Sequence, residues 1–278
     1  MFRLKSIIFF SIFHKLISTN TFSRWTGRLA GSRGIPKWLL GKVIRNYIRF
    51  YRIDMTDFDI DLTTINTFNE FFTRPLKKGA RVWEQGVCSP VDGRLLCFGA
   101  VEEGKMYQIK GISYAQDVLL GQPGLTNGSY ATIYLAPGDY HRVHAPFDML
   151  IEEITHIPGE LLSVSLMNVR HIPALYNKLE RVVLSGKNEF GKFHFVFVGA
   201  FNVGSIRLSF MEDFTSNRKN IREIRKIRTS VEISKGEELG WFELGSTVVV
   251  MTESKLFESG LEHLLFQKIS LGQTLALQ

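Results

Sequence analysis

The sequence predicts an α+β fold, with a helical N-terminal segment before a mostly β domain. Three observations support this prediction. Hydrophobic residues make up 45% of the 278-residue chain and charged residues 22%, proportions that suit a folded protein. The basic excess lies entirely in residues 1–52. From residue 81 onward, short apolar runs alternate with Gly, Pro, Asn and Asp turns. We place the boundary between a helical part, 1–75, and a β-rich part, 76–278.

The charge of the chain is distributed unevenly. The formal net charge is +7, but residues 1–52 contain eleven Lys and Arg and no Asp or Glu, so the other 226 residues have a net charge of −4. This separation indicates a polyanionic partner, either anionic lipid or nucleic acid. No base-stacking module accompanies the charge. The sequence therefore favours a membrane surface as the partner, and it argues against nucleic acid.

Residues 38–52 have the pattern of an amphipathic helix. One face carries the apolar residues Leu40, Val43, Ile44, Tyr47, Ile48 and Tyr51, and the opposite face the basic residues Lys42, Arg45, Arg49 and Arg52. Such a helix either lies in a membrane interface or docks its apolar face on the protein core, and its own sequence suits both.

Residues 2–16 favour the membrane. They combine positive charge with an apolar run that is shorter than the roughly 20 residues needed to span a bilayer. The absence of an Ala-x-Ala-like site after this run argues against a secretory signal peptide. We therefore expect an N-terminal amphipathic helical membrane-binding segment.

Strands are expected to dominate the second part, after a short capped helix within residues 64–73. The candidate strands are 94–101, 105–110, 130–136, 149–156, 181–186, 192–200, 204–210, 229–233 and 246–252. The basic run 218–228 predicts either an exposed loop or strand pair, or a second contact with lipid headgroups. Cys88 and Cys97 are expected to be free buried thiols, and their spacing indicates no metal site.

Three short segments contain residues with chemical potential. Gly245-Ser246-Thr247 places a serine hydroxyl after a glycine, whose backbone distorts at little cost. Residues 139–146 (DYHRVHAP) hold His141 and His144, and residues 89–93 (SPVDG) hold Asp92 in a turn. Each segment alone suits an ordinary turn, but together they supply a carboxylate, a base and a nucleophile.

These segments resemble the phosphatidylserine decarboxylase family, the pyruvoyl-dependent enzymes that make phosphatidylethanolamine. The resemblance runs in order through residues 20–278 and includes 68–74 (FNEFFTR), 110–111 (KG), 158–159 (PG), 198–200 (VGA), 202–206 (NVGSI) and 244–247 (LGST). It implies that residues 76–278 form a β-rich decarboxylase domain, so that the mostly β catalytic domain follows the helical segment.

The resemblance also implies a mechanism. Ser246 attacks the carbonyl of Gly245, with His144 as the general base and Asp92 orienting the imidazole, and the chain splits into a β chain, 1–245, and an α chain, 246–278. Ser246 becomes a pyruvoyl group, the covalent cofactor, which forms a Schiff base with phosphatidylserine. His141 or His144 then supplies the proton that replaces carbon dioxide. Because the two histidines are three positions apart, both reach one pocket only if a turn or bulge lies near Arg142.

A location and partners follow from the same resemblance. It implies a peripheral enzyme on the cytoplasmic face of the inner membrane, acting on phosphatidylserine in an anionic membrane. The two cleaved chains are expected to form a heterodimer, and further dimerisation is expected.

Two other classes of function fit parts of the sequence. Asp92, His144 and Ser246 could form the triad of a serine hydrolase, although no Gly-x-Ser-x-Gly elbow surrounds the serine. A non-enzymatic module that binds membranes or nucleic acid would account for the basic N-terminus alone.

Overall fold

A computed structural model describes residues 30–160, 162–164, 166–200, 205–216, 223–243 and 246–277. The predicted membrane-surface segment 2–16, residues 218–222 of the basic run and Gly245 lie outside these residues. The described helices are α1 (Lys37–Tyr51), α2 (Phe68–Phe72), α3 (Gln116–Leu120), α4 (Leu166–His171) and α5 (Leu175–Lys178). The described strands are β1 (Val87–Cys88), β2 (Gly93–Ala100), β3 (Lys105–Gln108), β4 (Ile112–Ala115), β5 (Ser129–Leu135), β6 (Arg142–His144), β7 (Met149–Ile157), β8 (Arg181–Asn188), β9 (Gly191–Gly199), β10 (Ile206–Leu208), β11 (Arg225–Ile233), β12 (Glu238–Phe242), β13 (Ser246–Thr252), β14 (Lys268–Ile269) and β15 (Thr274–Ala276).

The largest element is an antiparallel sheet of eight strands in the order β11-β7-β8-β9-β13-β5-β2-β14. A three-stranded sheet has the order β10-β12-β6, and β1–β15 and β3–β4 form two smaller pairs. The mostly β prediction is confirmed, and each predicted strand is present within a few residues of its expected bounds. Six short strands, β1, β4, β6, β12, β14 and β15, were missed because runs of two to five residues show too little alternation to be recognised.

The eight-stranded sheet is covered on both faces. Along β13, Val248 and Val250 pack with Val143 of β6, in the core beneath the three-stranded sheet. Val249 and Met251 point to the other face, where residues of α3 and α5 form a second core. This burial on both sides explains why β13 is a nearly continuous apolar run rather than an alternating one.

Helix α2 begins as its sequence predicts. The Thr67 hydroxyl accepts a hydrogen bond from the Glu70 amide (3.1 Å), and the Glu70 carboxylate accepts one from the Asn66 amide (2.8 Å). These contacts satisfy amide groups that have no partner inside the helix. The cap fixes where the segment 68–74 starts, and therefore where its last residues meet the rest of the chain.

Helix α1 docks on the protein with much of the face that the sequence offered to the membrane. Leu40 and Ile44 are 3% and 2% exposed and pack with Phe71 of α2. The Tyr47 hydroxyl donates a 2.6 Å hydrogen bond to the carbonyl of Pro137. Of the two possibilities that the sequence leaves open for this helix, docking on the protein core therefore holds for these residues.

An apolar stripe of α1 stays exposed, and it includes Val43 of the predicted apolar face. Leu39, Val43 and Phe50 are 38%, 45% and 79% exposed, and they lie within about 40° of one another around the helix at 100° per residue. The exposed basic residues Lys42 and Arg49 lie about 60–80° from Leu39 around the helix, and Arg45 lies farther round. In the described part of the chain, no helix is both long and apolar enough to cross a bilayer.

Both cysteines are buried and free, as the sequence predicts. Burial raises the pKa of the Cys97 thiol to about 12.

Candidate functional site

Ser246 is the first residue of β13, in the middle of the eight-stranded sheet. It pairs with Leu135 of β5 on one side and with Gly199 of β9 on the other. Its side chain is fully buried, and its hydroxyl has no hydrogen-bond partner in the described part of the chain. A buried hydroxyl without a partner costs about 1–3 kcal/mol, so this residue is not placed there for stability.

The direction of the Ser246 side chain follows from strand alternation. Successive side chains of a strand point to opposite faces, so Ser246 shares the face of Val248 and Val250. That face is the one covered by β10, β12 and β6. The serine hydroxyl therefore points towards the three-stranded sheet rather than towards α3 and α5.

The two histidines of residues 139–146 lie on opposite sides of β6. Val143 is buried in the core between the two sheets, so alternation places His141 on that inner side and His144 on the outer side. The bulge in this region is in β12, where Leu239 is inserted between the partners of His144 and Val143. The bulge predicted near Arg142 is thus found on the neighbouring strand, and it does not bring both histidines to one face.

His141 is held as a neutral imidazole. It is fully buried, its Nδ1 lies 2.9 Å from the Asp139 carbonyl, and burial lowers its pKa to about 3. A carbonyl only accepts hydrogen bonds, so Nδ1 carries the proton and Nε2 carries the lone pair. Nε2 is buried without a partner among the described residues. His141 therefore presents a proton acceptor on the same side as Ser246.

His144 is also neutral, but both of its nitrogens have partners. Nδ1 donates to the Gly236 carbonyl at 2.8 Å, and Nε2 accepts from the Tyr140 hydroxyl at 3.0 Å. Burial lowers the pKa of His144, while the hydrogen bond to Gly236, the charge of Glu238 and, to a smaller extent, the charge of Asp92 act in the opposite direction. His144 can take a proton at Nε2 once the Tyr140 hydroxyl turns away.

Asp92 is fixed by Arg81 rather than by a histidine. Its carboxylate accepts hydrogen bonds from Arg81 Nη2 (2.6 Å) and Nε (3.3 Å) and from the Leu271 amide (2.7 Å). No hydrogen bond joins Asp92 to His144 in the described residues, although the His144 amide donates to Pro90 in the same turn (2.9 Å). The predicted hydrogen bond between Asp92 and His144 is therefore not formed among the described residues, and Asp92 acts on His144 through its nearby charge.

Asp92 and Ser246 lie on either side of the same strand end. Arg94 of β2 pairs with Tyr134 of β5, and Ser246 of β13 pairs with Leu135 of β5. Neighbouring strands are about 4.8 Å apart, so the backbones at Asp92 and Ser246 are separated by roughly 10 Å. The structure brings the predicted groups to one end of the sheet without linking them into a hydrogen-bonded triad.

The chain that leads to Ser246 runs past His141. The Phe242 amide donates to the His141 carbonyl at 3.1 Å, and the Glu243 amide donates to the Ser205 carbonyl at 3.0 Å. Ser205 has a buried hydroxyl that also lacks a partner among the described residues. The last described residues before Ser246 are therefore held by the backbones of His141 and Ser205.

A polar cavity of about 280 Å³ opens beside Asp92. It lies between the C-terminal end of α1 and the end of β5, and its charged lining comprises Arg52, Asp54, Asp57, Arg81, Asp92, Asp139 and Lys268. Tyr140 connects this cavity to His144 through its hydroxyl. In the described residues, no group of three His, Cys, Asp or Glu side chains could hold a metal ion.

Sequence reasoning missed one of these residues and left another without a role. Arg81 stands in no motif, and only its contact with Asp92 reveals it. Tyr140 was recognised within its motif, but its bond to His144 depends on the local fold.

Comparison with known proteins identifies the family. A sequence profile described as phosphatidylserine decarboxylase matches residues 68–277. The phosphatidylserine decarboxylase proenzyme of Methylobacillus flagellatus is 38% identical over 261 residues, which cover 90% of this chain and 92% of the relative. That of Azoarcus sp. is 40% identical over 245 residues (85% and 84%), and that of Dechloromonas aromatica is 37% identical over 244 residues (85% and 86%).

These similarities make the chain an enzyme of the decarboxylase class, with relatives that are named as proenzymes. The chain belongs to the phosphatidylserine decarboxylase family.

Proposed function

We propose that this chain is a precursor that converts its own Ser246 into a covalent pyruvoyl group and then decarboxylates phosphatidylserine to phosphatidylethanolamine. The observation that carries the proposal is the Ser246 hydroxyl, which is fully buried at the start of a central strand and has no partner among the described residues. Family membership supports the substrate and the reaction, and the proenzyme names of the relatives support a processed precursor.

Maturation would begin at Ser246. Its Oγ attacks the carbonyl carbon of Gly245 and passes its proton to a base, and the C–N bond breaks as the acyl group moves to oxygen. Loss of the Cα proton then breaks the new ester, giving a carboxylate at Gly245 and a dehydroalanine at residue 246. Water replaces the nitrogen of that residue, which leaves as ammonia, and a pyruvoyl group remains.

His144 is the proposed base of this step, assisted by Asp92, as the family resemblance implies. In the described conformation its side chain lies on the opposite side of β6 from Ser246, so the proton transfer requires a rearrangement at this end of the sheet. Its Nε2 carries the lone pair, because Nδ1 donates to the Gly236 carbonyl. Asp92 favours the protonated imidazole through its negative charge, and Arg81 and the Leu271 amide hold that carboxylate in place. The Tyr140 hydroxyl covers Nε2 until the proton arrives.

Two buried polar groups support a pyruvoyl group at Ser246. Among the described residues, the Ser205 hydroxyl and the His141 Nε2 have no partner, so the first is free to donate to a carbonyl oxygen and the second to carry a proton. The group itself supplies an electrophilic carbonyl and an electron sink, the role that pyridoxal phosphate has in other decarboxylases.

His141 is the proposed proton carrier in decarboxylation. The substrate carbon that loses carbon dioxide must gain a proton, and Nε2 of His141 is the proposed carrier of that proton. Because burial lowers the pKa of His141 to about 3, the protonated imidazole is a strong acid. It can therefore return the proton to the carbon that has lost carbon dioxide.

The two cleaved chains are expected to stay together as a heterodimer. After cleavage, residues 246–252 remain hydrogen-bonded to β5 on one side and β9 on the other. Strands β14 and β15 of the same chain pair with β2 and β1. Further dimerisation of the processed enzyme stays a prediction.

Helix α1 supports a peripheral location on the cytoplasmic face of the inner membrane. Its exposed stripe of Leu39, Val43 and Phe50 would enter the interface, and the neighbouring basic residues would contact anionic headgroups. The end of this helix, at Tyr51 and Arg52, lines the cavity beside Asp92. Docking through α1 would therefore bring the cavity close to the lipid substrate.

Mass spectrometry of the purified chain tests the proposal. We expect fragments of residues 1–245 and 246–278, the smaller one lacking an amino terminus, and release of carbon dioxide from phosphatidylserine vesicles. Ser246→Ala is the control that should remain intact and inactive. A wild-type chain that stays whole and yet releases carbon dioxide would overturn the pyruvoyl mechanism.

A further inference from the structure

The segment at the end of α2 packs against the residues around His141. The Phe72 ring centroid lies 4.0 Å from that of His141, and the Thr73 carbonyl accepts a 2.8 Å hydrogen bond from Arg142 Nε. Arg74 completes the segment. The FNEFFTR motif, which the catalytic steps above do not use, is therefore the element that supports the Tyr140-His141-Arg142 backbone.

Arg74 is buried without a carboxylate partner among the described residues. Its side chain is 0% exposed, and its guanidinium lies 4.2 Å from the ring centroid of Phe58 and 5.2 Å from that of Phe71. It donates to the carbonyls of Gly138 (2.9 Å) and Asp139 (3.2 Å). Burial lowers its pKa to about 10. Burying a cation in this way is costly, so these carbonyls and rings must compensate for its lost hydration.

The Asp139 carbonyl is shared between Arg74 and His141. It accepts from Arg74 Nη2 and, at 2.9 Å, from His141 Nδ1. A carbonyl oxygen has two lone pairs, so both bonds can form together. The first fixes where the oxygen points, and the second fixes which nitrogen of His141 carries the proton. The Arg74 charge also disfavours protonation of His141.

We propose that Arg74 is a positioning residue for His141: it holds the Asp139 carbonyl against Nδ1 and so keeps Nε2 as a bare acceptor on the side of Ser246. The chemical use of that acceptor rests on the proposed function, but the tautomer does not. The Phe72 ring packs against the His141 ring at an interplanar angle of 46° and so restricts its rotation.

Nitrogen NMR of histidine tests the tautomer directly. The probe is the Ser246→Ala precursor with ¹⁵N-labelled histidine, in which His141 is assigned by its loss in a His141→Gln variant. Between pH 6 and 8 we expect His141 to be neutral and protonated at Nδ1. Finding it protonated at Nε2, or charged, would overturn the proposal whether or not the protein decarboxylates anything.

Arg74 variants test the cause. Arg74→Met should introduce the Nε2–H form or a charged form of His141, while Arg74→Lys should retain part of the original signal because it still donates to the carbonyls. Arg181→Met is the matched control: Arg181 is also buried, also donates only to carbonyls, and also has a pKa lowered to about 10 by burial. It should leave the His141 signal unchanged.

The processed enzyme gives a second measurement. Arg74→Met should lower kcat at least about tenfold with little change in KM, since general acid–base catalysis typically contributes 10²–10⁴-fold, and Arg74→Lys should recover part of the loss. If Arg74→Met does not fold, the Arg74→Lys variant and the tautomer of His141 in the Ser246→Ala precursor still test the proposal. An Arg74→Met protein with the unaltered tautomer and full kcat would refute the role.

Discussion

Arg81 Nη2 lies 2.6 Å from the Asp92 carboxylate, and no other side chain described here holds that carboxylate. Arg81 therefore determines where the negative charge of Asp92 lies relative to His144. Arg81 also contacts Asp57 at 2.7 Å, so it joins the helical part of the chain to the end of the sheet.

Replacing Arg81 with Met should slow maturation about tenfold or more, because Asp92 loses its fixed position, and should lower the free energy of unfolding. Breaking a buried ion pair costs about 3–5 kcal/mol. Arg81 is 19% exposed, so we expect a loss on the order of 2 kcal/mol.

Time courses of chain cleavage and urea unfolding measure the two effects of Arg81→Met. Arg81→Lys, which keeps the charge but not the two-pronged contact, should lie between wild type and Arg81→Met. Unchanged cleavage in Arg81→Met would show that the position of Asp92 is unimportant.

The two histidines should separate in function. His144→Ala should leave the chain uncleaved, because the proposed base is removed. His141→Ala should cleave but release carbon dioxide at least about a hundredfold more slowly, in line with the loss of an acid–base group. Fragment masses and a carbon dioxide assay on the same preparations measure both. Cleavage at the normal rate in His144→Ala would assign the maturation base to another residue.

Acid should destabilise the precursor through its buried neutral histidines. Burial lowers the pKa of His141 to about 3 and that of His194 to about 4, below the unfolded value of about 6.5. The unfolded chain therefore binds more protons as the pH falls through this window. Stability present above pH 6.5 is lost towards pH 4, at up to about 1.4 kcal/mol per pH unit for each histidine.

Urea unfolding of Ser246→Ala between pH 7.5 and 5 measures this slope. A His194→Gln variant has one such histidine fewer and should give a shallower dependence, even if it is less stable at every pH. An equal slope in both proteins would contradict the assignment of His194 as a buried neutral group.

The exposed stripe of α1 should govern binding to vesicles. A Val43→Gln, Phe50→Gln double variant should bind anionic vesicles at least about tenfold more weakly, since fully burying one such side chain contributes about 1.5–3 kcal/mol. Its thermal unfolding should be nearly unchanged, because both residues are exposed. Leu40→Ala is the contrasting variant. It should unfold more easily, by about 2–5 kcal/mol, with its membrane-facing stripe intact. Equal vesicle binding by the double variant would exclude this stripe from the membrane contact.

The sequence predicted the long strands, including the one that Ser246 begins, because apolar runs and turn residues are local signals. It did not predict that this strand lies in the middle of the sheet. It also predicted α1 as a helix, but not which apolar residues would be buried, since that depends on where Phe71 and Pro137 lie in the fold. The same limit explains Asp92. Its motif marked a carboxylate with a role, whereas its partner Arg81 is eleven residues away and was recognisable only from the folded chain.

Strand β13 gives the proposed cleavage an unusual topological result. Ribosomal synthesis produces two chain ends, and folded proteins generally keep such ends at the surface. Cutting the bond before Ser246 would instead create a third kind of end, placed in the interior between two neighbouring strands that are already paired with it. A reactive carbonyl at that end would be shielded from water by a sheet that had formed before the carbonyl existed. The position of this one peptide bond would then require the chain to fold before the cleavage chemistry takes place.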